Sequence, residues 1–352
     1  MSFLESMVKK ANNEYANIVS QGIEGSDVSG FVDTGSYIFN ALLSGSLYGG
    51  IPDNKILAIA GESATGKTYF TMGIVHKFLR DRPDGVVLYF DSEQAVTSDM
   101  FKERGCDTNR VAVFPVATVE NFRHQAISIV DSYLELPESE RKPMLICLDS
   151  LGMLSTEKEM ADTAEGKLTK DMTRAQLVKA TFRVLTMKLG KAGIPLIMTN
   201  HTYDVVGSMF PQKTMGGGSG LKYAASTIVY LSKKKVKEGT DVIGNIIHCK
   251  LFKGRLTKEN SMVDVILNYD HGLSPYYGLT EVALKYEIFK KVSTRLEMPD
   301  GTKIYEKQLY KQPEKYFTEE IMQRLEEAVA SEFKYGTMEP TEKEQTDESS
   351  EV

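Results

Sequence analysis

The stretch GESATGKT, residues 61–68, sets two glycines, a lysine and a threonine at the spacing GxxxxGK[ST]. Gly61 and Gly66 let the backbone turn tightly enough for the N–H groups of Glu62, Ser63, Ala64 and Thr65 to point inward as a cradle for phosphate oxygens. Lys67 would reach the β and γ phosphates of a nucleoside triphosphate such as ATP, and the Thr68 hydroxyl would ligate Mg²⁺. Two carboxylates can complete that chemistry. Glu93 follows the apolar run GVVLYFD and can orient or deprotonate the water that attacks the γ-phosphate. Asp149 closes MLICLD and can hold Mg²⁺ through water, opposite Thr68. His201 directly follows IPLIMTN, a place that suits either a γ-phosphate sensor or an ordinary hydrogen-bonding residue.

These groups need a frame that brings strand ends together. Buried-type strands are expected over Ile56–Gly61, Val86–Asp91, Val111–Phe114, Met144–Ser150 and Ile194–Asn200. Helices are expected over Lys67–Arg80, Val119–Leu134 and Asp171–Ala192. The alternation gives an α/β fold, a mostly parallel twisted sheet flanked by helices, with reactive groups gathered at the strand C-termini. Beyond His201 runs a glycine-rich stretch, DVVGSMFPQKTMGGGSGLKYAAS, expected to form a long functional loop. In it, Met209 and Phe210 lie close in sequence to Lys213 and Lys222. That is a composition for wedging against bases while lysines meet phosphates, or for a mobile lid with an apolar anchor. HCKLFKGRL places Lys250, Lys253 and Arg255 at a strand end, as a solvated face or as cations for a phosphate.

Length and charge set the bounds. The 352 residues, 41% hydrophobic, suit one large domain with small appendages. No apolar run approaches a membrane span, and MSFLESMVKKANNEYANIVS is amphipathic, unlike a signal peptide. Cys106, Cys147 and Cys249 have neither disulfide nor zinc spacing, so a reducing, cytoplasmic home is expected. The net charge is −6, and residues 337–352 hold six acids and one lysine, so the remainder is nearly neutral and acidity does not exclude a nucleic-acid partner. The expected organisation is an N-terminal helical arm over 1–30, an ATPase core over 31–280, a small C-terminal α+β subdomain over 281–336 and a disordered acidic tail over 337–352. The arm either packs on its own core or docks on a neighbouring subunit. The tail either moderates duplex binding or keeps the protein soluble.

Six blocks in order, GESATGKT, YFDSEQA, LICLDSLG, MTNHTY, MFPQKTMGGGSGLKYAAS and KLFKGRLTKENS, resemble the RecA and Rad51 recombinases. Within that superfamily the chain is similar to the UvsX-type recombinases of T-even phages. The resemblance implies a RecA-like P-loop ATPase core that uses ATP and Mg²⁺, forms a helical filament on single-stranded DNA and exchanges strands with duplex DNA. By the same resemblance Glu93 activates water, and His201 links nucleotide state to the DNA-binding loop. Residues 157–170, with Lys167 and Lys170, form a first DNA-binding loop. Residues 203–221, with Gly216, Gly217 and Gly218, form a second, in which Phe210 inserts between base triplets. Lys253 and Arg255 reach the nucleotide of the adjacent subunit. A single-strand binding protein and a loading mediator are implied as partners, with no motif in the residues, and action in a phage host's cytoplasm is implied as location.

The chain also departs from the family pattern. Where many relatives set a tyrosine against adenine, this sequence offers Met100, and too few residues precede the core for a Rad51-type N-terminal domain. A ring-forming helicase or translocase on the same core, and a recombinase-like mediator, are the alternative readings.

Overall fold

The central strands bury both faces, and their sequence alternation shows which residue serves which layer. The computed structural model describes residues 2–13, 16–167, 173–204, 213–216, 219–238, 241–268 and 272–336. Helix α1 (Phe3–Ala11) opens the chain, closed at its N-terminus by a capping box in which the Glu5 N–H donates to Ser2 Oγ at 3.1 Å and the Ser2 N–H to Glu5 Oε2 at 2.7 Å. None of its residues is buried. A short antiparallel pair, β1 (Phe31–Val32) and β2 (Ile51–Pro52), brackets α2 (Tyr37–Ser44).

The core then runs β3 (Ile56–Gly61), α3 (Lys67–Asp81), β4 (Val86–Asp91), α4 (Ser98–Glu103), β5 (Val111–Pro115), α5 (Val119–Glu135) and β6 (Met144–Asp149). It continues with α6 (Glu157–Ala164), α7 (Arg174–Ala192), β7 (Leu196–Asp204), β8 (Lys213–Met215) and α8 (Ser219–Ala224). Long strands β9 (Thr227–Glu238) and β10 (Asp241–Gly254) lead to β11 (Met262–Asn268) and β12 (Gly272–Leu273). The last segment holds α9 (Leu279–Lys285), a three-stranded sheet of β13 (Lys290–Val292), β14 (Arg295–Glu297) and β15 (Lys303–Ile304), then α10 (Glu306–Lys311), α11 (Pro313–Tyr316) and α12 (Glu319–Phe333).

In the main sheet the order is β12-β11-β10-β9-β3-β7-β6-β4-β5, with β8 paired to β7. From β9 to β5 the pairs are parallel, and β9 to β12 extend the sheet antiparallel. This is the expected RecA-like α/β architecture. Leu57 and Ile59 of β3 share one apolar layer with α3 residues Phe70 and Ile74, while Ile56, Ala58 and Ala60 face the other layer with Phe122 of α5 and Phe182 of α7. The C-terminal residues Leu309, Phe317, Leu325 and Phe333 join the layer of Leu57.

Several expectations change: the segment expected as a loop over 157–170 opens with helix α6, whose N-cap Thr156 accepts from the Glu159 N–H, and the strand expected from Ile194 begins at Leu196. The strand expected to stop at Asn200 runs on to Asp204, because β8 supplies hydrogen-bond partners to Thr202, Tyr203 and Asp204. The stretch expected as one long loop therefore carries β8 and α8, whose local pairing no apolar periodicity announces. Residues 205–212, 217–218 and 337–352, with the Met209, Phe210, Gly217 and Gly218 expectations and the acidic tail, lie outside the described residues, as does Lys170.

Candidate functional site

Registers place the predicted groups at one edge. Gly61 of β3 lies opposite His201 of β7, and Asp91 of β4 opposite Asp149 of β6, so the C-terminal ends of four parallel strands meet. From Gly61 the backbone enters a loop that leaves Glu62, Ser63 and Ala64 exposed, with Thr65 buried beneath. The Thr65 hydroxyl donates to the Glu62 carbonyl at 2.7 Å. Gly66 has φ +95°, a left-handed conformation that a side chain would strain, and α3 begins at the next residue. Gly61 is needed for space, since a Cβ there would meet the Leu231 carbonyl of β9 at 2.9 Å.

Lys67, only 7% exposed, folds back on this loop and donates to the carbonyls of Gly61 at 3.0 Å and Glu62 at 2.9 Å. Burial pushes its ammonium below the usual value, opposed by the charges of Asp149 and Glu93. Its Nζ also lies 3.5 Å from His201 Nδ1. On the far side of that ring, Nε2 is 3.0 Å from Glu93 Oε1, which also accepts from the Ser150 hydroxyl at 2.8 Å. With a proton on Nε2 the ring donates to the Glu93 carboxylate, and it stands between that carboxylate and the lysine. Burial alone would raise the Glu93 pKa, but the hydrogen bonds from His201 and Ser150 and the charges of His201 and Lys67 bring it below the ordinary 4.5.

Asp149 is held differently. Oδ2 accepts from the Thr68 hydroxyl at 2.7 Å and from the Tyr89 hydroxyl at 2.8 Å, while Oδ1 accepts from the Thr199 hydroxyl. Thr68 and Asp149 thus present hard oxygens side by side, a donor set that fits Mg²⁺ bound by few protein ligands together with phosphate oxygens. Among the described residues there is no cluster of three or more acids, histidines or cysteines arranged for a metal. The ends of β4 and β6 are laced by Ser92, whose hydroxyl donates to the Ser150 carbonyl at 2.7 Å and accepts from the Ser150 N–H at 2.8 Å.

Buried Asn200 ties this edge to the glycine-rich segment. Its Nδ2 donates to the Gly216 carbonyl at 2.7 Å, and the Gly216 N–H donates to the His201 carbonyl at 3.2 Å. Lys213 pairs through its backbone with Asp204. Met100 lies on α4, part-buried against the same apolar layer as Tyr89. Lys167 is paired with Glu165 at 2.5 Å.

Lys253 and Arg255 lie elsewhere. Gly254 pairs with Thr227, and Thr227 with Leu57, so both cations sit at the N-terminal edge of the parallel strands. At about 3.3 Å per residue the length of β3 puts them on the order of 20 Å from the loop that follows Gly61. The Lys253 ammonium donates to the carbonyls of Lys222 at 2.7 Å and Ala225 at 2.8 Å, closing the C-terminus of α8. Burial, then the neighbouring Arg255, pushes its pKa down.

Sequence reasoning did not find Tyr89, Ser92, Ser150, Thr199 or Asn200. Tyr89 and Thr199 read as core positions of apolar strands, and only their neighbours across the sheet give their polar atoms a use. Ser92 and Ser150 each follow a strand-terminal aspartate, and that pattern was their one signal.

Comparison with known proteins adds a second line. Residues 4–274 match the model of the RecA N-terminal domain. The recombination and repair protein of Enterobacteria phage T4 is 35% identical over 249 residues, 70% of this chain and 62% of that protein. Protein RecA of Streptomyces rimosus is 26% identical over 249 residues, 69% of this chain and 62% of the relative. Protein RecA of Malacoplasma penetrans is 28% identical over 247 residues, 69% of this chain and 71% of the relative. The chain therefore spans 62% of the length of the phage and Streptomyces proteins.

Proposed function

The chain belongs to the RecA family, and we propose that it is a DNA-dependent ATPase of recombination and repair that polymerises on single-stranded DNA and exchanges strands with duplex DNA. One observation carries the reading: the phosphate-loop lysine, the Thr68–Asp149 pair and the Glu93–His201 pair converge at one sheet edge, while Lys253 and Arg255 lie at the other. In a single chain the two cations cannot reach the loop. Head-to-tail stacking brings one subunit's N-terminal edge against the next subunit's C-terminal edge, and such an interface, repeated without closing, gives a helical filament.

Each residue then has a task. The N–H groups of residues 62–66 and the N-terminus of α3 hold the phosphates, and Lys67 moves from the Gly61 and Glu62 carbonyls to the β and γ phosphates. Thr68, and Asp149 through water, would hold Mg²⁺, which when bound would neutralise charge on the phosphates. Glu93, kept ionised, orients the attacking water and accepts its proton. His201 faces both Lys67 and Glu93 and reports phosphate occupancy through Asn200 and Gly216 to the glycine-rich segment. Lys253 and Arg255 stabilise charge developing on the γ-phosphoryl group of the neighbouring subunit. Phe210, Met209, Lys213, Lys167 and Lys170 contact DNA, and unburied α1, with Phe3 and Leu4 exposed, docks on a neighbouring subunit.

Electron microscopy of the protein with ATP and single-stranded DNA tests this. Open helical filaments are expected. Closed hexameric rings would favour a helicase or translocase, and no assembly on DNA would favour a mediator.

A further inference from the structure

Tyr89 is fully buried in the middle of β4 and is the largest of the fully buried side chains among the described residues, in a strand whose other residues before the terminal Asp91 are apolar. A phenol hydroxyl is costly to bury without a partner, and a phenylalanine would fill this layer without that cost. Its partner is the carboxylate of Asp149, whose Oδ2 it reaches at 2.8 Å. The same oxygen accepts from Thr68, and the other from Thr199, so three of the carboxylate's roughly four lone-pair sites are filled by hydroxyl donors. Two consequences follow. The Thr68 proton is committed to Asp149, which turns the lone pairs of its hydroxyl outward, and a single acceptor site is left on Oδ1. The ring of Tyr89 meets Phe101 edge-on at 5.4 Å, and Phe101 belongs to α4, next to Met100.

We propose that Tyr89 is a positioning residue for the divalent cation: its hydroxyl fixes the Asp149 carboxylate and, through it, the Thr68 hydroxyl in the orientation that receives the metal with the nucleotide. The proposal rests on the reading of Thr68 and Asp149 as the metal side of the site. An ionised carboxylate can only accept, so the phenol is the donor in this hydrogen bond. Its role is steric and directional, through a group that never touches the nucleotide.

Tyr89→Phe keeps the ring, its volume and the edge contact with Phe101 while deleting the donor. The test is binding of a fluorescent ATP analogue to the full-length chain during titration with Mg²⁺, alongside its affinity in EDTA. The half-saturating Mg²⁺ concentration is expected to rise about tenfold, as when an outer partner of a metal ligand is removed. Affinity in EDTA is expected to stay the same. Phe101→Leu, which disturbs the same packing but keeps the hydroxyl, separates positioning from loosened structure, and its half-saturation is expected to match wild type. An unchanged half-saturation in Tyr89→Phe would overturn the proposal, as would an equal rise in Phe101→Leu. A wild-type chain that binds the analogue with no response to Mg²⁺ would overturn the reading of Thr68 and Asp149 together with the proposal.

Discussion

The two edges of the parallel sheet hold their polar groups in different ways. At the C-terminal edge nearly every functional group has a side-chain partner: Asp149 takes three hydroxyl donors, and Glu93 takes a hydroxyl and an imidazole. At the N-terminal edge, Lys253 rests on main-chain carbonyls and Arg255 is exposed. A site that fixes its carboxylates in advance lowers the reorganisation needed when phosphate and metal arrive. Cations held by helix-end carbonyls can exchange them for a phosphate, since an anion is the stronger acceptor. On the proposed function, this difference would leave binding to one subunit and transition-state charge to its neighbour.

The largest effects should separate the edges. Lys67→Ala should abolish ATP-dependent strand exchange and weaken nucleotide binding even in dilute, unassembled protein. A Lys253→Ala, Arg255→Ala double variant should lower DNA-stimulated hydrolysis by about 10²–10³-fold, as loss of a cation at the transferring phosphoryl group does, yet bind nucleotide in dilute solution as wild type does. Paired binding and hydrolysis assays check this, and loss of dilute binding in the double variant would erase the distinction.

Phe210→Ala addresses the segment that Asn200 and Gly216 tie to the C-terminal edge. It should weaken single-stranded DNA binding by about tenfold, the value of one stacked base, and lower DNA-stimulated hydrolysis more than basal nucleotide binding. Equal loss of all three would mark a folding defect.

A smaller effect concerns the hydrogen bonds on Glu93. Its folded pKa is depressed, so its contribution to stability is present above the unfolded glutamate value and is lost as pH falls through the folded one. The acid limb of the hydrolysis profile should accordingly lie below the ordinary 4.5. Ser150→Ala removes one of the donors and should move that limb upward. A pH profile identical to wild type would show that Ser150 does not hold the ionised form.

The smallest effect belongs to the other edge. Lys253→Met leaves the last carbonyls of α8 without a side-chain donor and should cost about 0.5–1 kcal/mol in chemical denaturation. A full loss of cooperative unfolding would instead make Lys253 part of the fold.

Much of the C-terminal edge was legible from residues alone, because its strands are short apolar runs that end on chemistry-bearing residues. The Ile56–Gly61 and Val86–Asp91 strands have the expected bounds, and the helix expected from Lys67 extends one residue past Arg80. Periodicity cannot see across a sheet, so the hydroxyls of Tyr89 and Thr199 looked like core. Nor could it place Lys253 and Arg255 on the edge opposite Lys67, which follows only from the antiparallel return of β10 along β9. The pairing of β8 with β7 was hidden for the same reason, since three residues carry too little pattern to announce a strand.

The central claim, a site shared between subunits, is tested most directly by mixing two inactive variants. Glu93→Gln retains Lys253 and Arg255 but lacks the base, whereas the Lys253→Ala, Arg255→Ala chain retains the base and the phosphate loop. Mixed one to one on single-stranded DNA with ATP, they should recover about a quarter of wild-type hydrolysis, as random pairing across a head-to-tail interface gives. A mixture as inactive as its components, with filaments visible, would contradict the shared site.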